Sequence, residues 1–219
     1  MPDQPKVRRS ARAYTSRPVD PATLLEIVAQ SRLAPSGSNL QPGTLFAVQG
    51  ARRQNLTHAL SQAWREGATQ APDYSYFAHP LPMRLRKRQV AAAQALYGSL
   101  GISRDNRSGR DSQFDRNFYF FDAPVALIAC VEQNAGAGAY LDLGMQLYGL
   151  MLAAHERGLA TCAIGAIAAY PDLVRQHLSL GNDWAIVCGM ALGYADTQAP
   201  VNTTCTERAE LDEYFRVIE

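Results

Sequence analysis

Apolar positions along this chain follow two patterns. In the first they recur at three- and four-residue intervals, as an amphipathic helix requires. Leu24, Leu25, Ile27 and Val28, with Ser31, do so behind Val19-Asp20-Pro21, where Asp20 suits an N-cap and Pro21 the first helical position. Pro35 and Gly37 end this helix by Ala34. Leu56, Leu60, Ala63 and Trp64 mark a second helix over residues 50–67, and a basic third helix covers 82–100. A long, largely apolar helix is expected from Ala139 to Arg157 with Gly158 as its C-cap, and a shorter one from Pro171 to Leu180 stopped by Gly181. In the second pattern apolar residues run unbroken, as in strands buried on both faces. Residues 124–131 and 184–192 read this way, with shorter strands at 45–48 and 161–164. Residues 72–82 form a proline- and aromatic-containing loop, and the polar stretch 101–116, with Arg104, Arg107 and Arg110, is expected to be mobile. Strands and helices mix without a regular strand–helix–strand period, so the fold class is α+β rather than doubly wound. No repeat or linker divides residues 1–219, which read as one domain with a lid-like insertion around 68–121.

Composition narrows the function. With 21 basic against 20 acidic residues and 47% hydrophobic content, the chain is neither disordered nor a dedicated nucleic-acid binder. No apolar run is long enough for a membrane span, and Met1 to Lys6 lacks the core of a signal peptide, so a cytoplasmic protein is expected. Cys130, Cys162, Cys188 and Cys205 form no Cys-x-x-Cys, and the four histidines are scattered, so no metal site is expected. Only 19% of residues are charged, below the roughly 25% usual for soluble domains, which hints at surface covered by a partner.

Several constellations could carry chemistry. Arg8, Arg9, Ser10 and Arg12 put three guanidiniums and a hydroxyl within five residues, which suits either a phosphate clamp or a solvated basic arm. Pro35-Ser36-Gly37-Ser38-Asn39-Leu40-Gln41-Pro42 is uncharged and stiffened by two prolines; it suits the polar edge of a heteroaromatic ring, or simply a turn. Nine of the nineteen aromatics lie between Tyr74 and Phe121. They suit a pocket for a flat ligand, with Tyr76, Tyr97, Phe118 and Phe120 as lining, or a satellite apolar cluster. The run Arg84-Leu85-Arg86-Lys87-Arg88 reads as a solvated helix face or a patch for nicotinamide-nucleotide phosphates. Gly136-Ala137-Gly138-Ala139-Tyr140-Leu141 imitates a dinucleotide fingerprint, but Leu141 stands at the third glycine and no parallel unit surrounds it. No nucleophile–base pair is visible, so a cofactor is expected to carry any reactivity.

Arg-Arg-Ser-x-Arg, followed after about two dozen residues by Ala-Pro-Ser-x-x-Asn-x-Gln-Pro, resembles the start of the nitroreductase family of FMN-dependent oxidoreductases. Phe120 to Pro124 and Cys188 to Asp196 resemble matching segments of its longer, nitroaromatic-reducing branch. The resemblance implies a central mixed sheet flanked by helices, in an intertwined homodimer with FMN between the protomers. It implies that Arg8, Arg9, Ser10, Arg12 and Arg208 hold the FMN phosphate and ring edge. Pro35, Ser36, Gly37, Asn39 and Gln41 would come from the other protomer, and Ile164, Gly165 and Ala166 would lie against the flavin. Two departures stand out: Gly43 replaces the family's Trp, and Gly165-Ala166 offers no carboxylate where some branches carry Glu-Gly.

The implied chemistry is reduction of a nitroaromatic or quinone-like acceptor by NADPH or NADH, in turn at one pocket, hence with ping-pong kinetics. A flavin-dependent dehydrogenase or oxidase on the same scaffold, and a non-enzymatic FMN or nucleotide binder, stay open from the residues. The long helix 139–157 is apolar around most of its circumference, so a dimer that shares it is the expected home of the missing charge.

Overall fold

The structure, a computed structural model, describes residues 8–218. Lys6 and the expectation about residues 1–6 therefore lie outside the described residues. In chain order the elements are α1 (Pro21–Ser31), β1 (Thr44–Val48), α2 (Gly50–Arg65), α3 (Met83–Ser99), α4 (Arg107–Asp115), β2 (Val125–Glu132), α5 (Ala137–Glu156), β3 (Ala160–Ile164), α6 (Pro171–Leu178) and β4 (Trp184–Gly193). The strands form one sheet in the order β1-β2-β4-β3, each pairing antiparallel. The mixed character implied by the resemblance rests on one isolated parallel bridge, Ser10 to Thr161. An antiparallel sheet also removes any dinucleotide unit before α5.

Both faces of the sheet are covered, which is why β2 reads as an unbroken apolar run. Ala126, Ile128 and Cys130 face a core with Leu56, Leu60 and Val174. Val125, Leu127, Ala129 and Val131 face a second core with Ile27, Leu143, Leu147 and Leu150. Asp20 caps α1 as expected, accepting from Thr23 N at 3.0 Å. Among the described residues no helix is long and apolar enough to cross a membrane, and no cluster of His, Cys, Asp or Glu could hold a metal ion.

Two expectations are corrected. The stretch 101–116, expected to be mobile, holds helix α4 over 107–115: Asn106 caps it through Gly109 N at 2.9 Å, and Asp115 is buried where it accepts from Ser61 Oγ at 2.7 Å and pairs with Arg65. At the end of α6 the left-handed cap is Ser179, with φ 57°, rather than Gly181. Within one chain α5 leaves Leu141, Tyr148 and Leu152 exposed, at 68%, 56% and 37%.

Candidate functional site

The N-terminal arm is extended, and its side chains alternate accordingly. It runs beside the start of β3 and the exit of β4. Ala11 N donates to Thr161 O at 3.1 Å, Thr15 N to Tyr194 O at 2.9 Å, and Asp196 N to Ala13 O at 3.1 Å. Burial raises the Cys162 thiol, while Arg12, a hydrogen bond with Ser10, and Arg8 pull it down. Positions 8, 10 and 12 thus act on one point of β3. Tyr14, at the arm's end, is raised well above the ordinary tyrosine value, chiefly by burial and also by Cys162. Its hydroxyl donates to Ala11 O at 3.0 Å, which keeps the arm compact.

Arg8, Arg9, Ser10 and Arg12 form one wall of a cavity of about 310 Å³, and Thr204, Cys205, Thr206 and Arg208 form the other. Thus the structure brings Arg208 to the arm, as the resemblance implied. None of these four arginines pairs with a carboxylate of the described residues. Arg208 folds back on its own turn, donating to Thr206 Oγ1 at 2.9 Å. Four guanidiniums with hydroxyls from Ser10 and Thr206 make a donor set that fits a phosphate dianion. Thr204 and Thr206 were not singled out in the sequence; nothing in their spacing marks them.

From Thr161, bridged to Ser10, β3 runs three residues to Ile164, about 10 Å at strand rise. A 3-10 turn, Gly165–Ala169, follows. Ile164 itself points into the core. Gly165 has a steric reason to be glycine, since a Cβ there would stand 2.8 Å from Tyr76 Cε2. The ring of Tyr76 therefore lies against this backbone, in a run held at two neighbouring points. Asp73 forms a buried ion pair with Arg175 at 2.8 Å and accepts from Ile186 N at 2.8 Å. Tyr74 Oη donates to Val187 O at 2.7 Å, and burial raises its hydroxyl.

The other aromatics divide. Phe118 and Phe120 do not line a pocket; they are 1% and 0% exposed and belong to the core. Phe120, Phe121 and Asp122 take φ of 53°, 53° and 62°, a left-handed turn whose two phenylalanines are both buried. Tyr97 is half-buried near the end of α3 and forms no ring contact with Tyr76. Arg84 and Arg88, on the exposed face of α3, both approach Glu213 Oε2, at 3.9 and 2.6 Å.

The loop 35–41 lies elsewhere. Pro35, Ser36 and Gln41 line a cavity of about 270 Å³ with Asp142 and Gln146 of α5. Gly37 N donates to Asp142 Oδ2 at 3.1 Å, so a buried acid in the apolar body of the helix holds the loop; that mid-helix acid was a signal available in the sequence. Ser38, Asn39 and Gln41 have φ of 49°, 59° and 50°, strain that concentrates at functional loops. Within one chain, this loop and the arginine cavity form separate cavities and are not brought together.

The family model described as "Nitroreductase family" matches residues 6–194. The chain belongs to the nitroreductase family. A 4-nitrobenzoate reductase of Pseudomonas putida is 36% identical over 90% of this chain and 86% of its own length. The crystal structure of the FMN- and NADPH-dependent nitroreductase NfnB from Sphigopyxis sp. strain HMH superposes with TM-score 0.94 at 39% identity, covering 97% of this chain and 96% of that one. The FMN-dependent nitroreductase NfnB from Mycobacterium smegmatis, solved in complex with NADPH, gives TM-score 0.91 at 31% identity over 97% and 95%. This nitroreductase-family chain thus has full-length relatives at both the sequence and the fold level.

Proposed function

We propose that this nitroreductase is an FMN-dependent enzyme that oxidises NADPH and reduces nitroaromatic or quinone-like acceptors. The observation that carries the reading is the arginine cavity: four guanidiniums without a carboxylate partner, joined by one strand to the backbone at Gly165. FMN, when bound, supplies the two-electron chemistry. The protein's own residues bind, orient and shield. Arg8, Arg9, Arg12 and Arg208, with Ser10, hold the phosphate. Gly165 and Ala166 present backbone beside the ring, and Tyr76 limits what reaches it. The missing carboxylate at Gly165-Ala166 leaves nicotinamide recognition to other groups.

The working unit in this proposal is a homodimer. Exposed Leu141, Tyr148 and Leu152 on α5, with Leu25 and Leu40, form apolar surface that a second copy would cover, and the partner's loop 35–41 would complete the site. Three buried free thiols favour a reducing, cytoplasmic setting. Purified protein should show flavin absorption that NADPH bleaches without oxygen; protein lacking flavin bands would overturn the reading. Acceptor kinetics should give parallel double-reciprocal lines, and intersecting lines would exclude a ping-pong sequence. Arg12→Ala and Arg208→Ala should each lower FMN retention.

A further inference from the structure

The two walls of the arginine cavity come from distant parts of the chain, the arm at 8–12 and the segment at 204–208. Something must set the distance between them. Asn202 is placed to do so. Its Oδ1 accepts from Arg12 N at 2.7 Å, and its Nδ2 donates to Ala13 O at 2.8 Å and to Asp196 O at 2.8 Å. Both amide hydrogens and one lone pair are in use, so the side chain is fixed in one orientation. It joins the arm, the exit of β4 and its own 3-10 turn (Pro200–Thr203), which leads directly into the far wall.

That turn is itself secured. Thr204 Oγ1 donates to Val201 O at 2.7 Å and meets Ser99 Oγ of α3 at 2.8 Å. The near wall depends on Asn202 at the residue that matters, because the bond to Arg12 N fixes the backbone from which the Arg12 guanidinium projects. No other residue type fits the place. Aspartate lacks the two donors, serine is too short, and glutamine is longer by one methylene.

We propose that Asn202 is the positioning residue of the phosphate cavity, holding the Arg12 wall and the Arg208 wall at the separation that lets both reach one anion. This rests on the reading of the cavity as the FMN phosphate site, and the experiment separates the two. Apoprotein is titrated with FMN and with riboflavin, which has the same ring and ribityl chain but no phosphate, following flavin fluorescence. Wild type should prefer FMN. Asn202→Ala should weaken FMN binding by roughly tenfold while moving riboflavin by less than about twofold. In an Arg12→Ala background the same change should cost FMN little more, because its effect passes through Arg12.

A purely architectural role predicts that both ligands weaken alike, and that result overturns the proposal while leaving the phosphate reading intact if Arg12→Ala still narrows the FMN preference. Wild type with no preference for FMN over riboflavin would overturn both. Should Asn202→Ala fail to fold, Asn202→Ser reads the same ratio; an unchanged FMN preference in that variant also rejects the assignment.

Discussion

A side chain at position 43 would meet side chains of α5. A Cβ on Gly43 would run into Gln146 Oε1 and stand 2.9 Å from Leu143 Cδ1. Where the resemblance leads one to expect a tryptophan, Gln146 and Leu143 of α5 stand against the backbone instead. Gly43→Trp should therefore destabilise the protein by about 1–3 kcal/mol, read by thermal melting, and Gln146→Ala should return part of the loss. Cys130 and Cys188 are pushed up to about 12, chiefly by burial. Thiols of an unfolded chain ionise near pH 8.5, so between about pH 9 and 12 the unfolded state has shed protons that the native state keeps. Stability is full below that window and falls as pH rises through it. Denaturant unfolding at about pH 7 and 10 should show the decline, and Cys188→Ala should flatten it. Residues differ in how readable they are. The arm's arginines stand out because clustered charge needs a partner. Phe118 and Phe120 do not, since aromatic density gives no direction and the left-handed turn at 120–122 uses no glycine to announce it.

Among the elements, those with apolar periodicity were readable from sequence nearly to their ends; α4 was not. Its sequence is polar because its anchor is polar. Asp115 reaches Ser61 and Arg65 of α2, and such a long-range contact leaves no local pattern. Asp115→Ala should leave the buried Ser61 hydroxyl unpaired, at about 1–3 kcal/mol, and speed amide exchange across 101–116 relative to the sheet. The stretch 68–121 is also not a single lid. Its early part carries Tyr76 to Gly165, α3 is exposed along most of its length, and Phe118, Phe120 and Phe121 belong to the core beside α4.

For the whole molecule, the shortage of charge now has an address. The exposed stripe of Leu141, Tyr148 and Leu152 is the unmet surface of α5, and the strained loop at 38–41 sits near it through Asp142. Tyr148→Glu should shift the protein to monomer in sedimentation and lower FMN retention together; a monomer with full FMN would break the proposed link. Sequence alone could suggest the proposed interface but not that the loop and the arginines line separate cavities. The union of the arm with the far wall carries a last consequence. Arg12 and Asn202 lie 190 positions apart. During synthesis the near wall leaves the ribosome 190 residues before its counterpart emerges. Under the proposed phosphate reading, capture must await Asn202, which follows the last strand, and a nascent chain arrested before it should fold much of its core yet stay colourless.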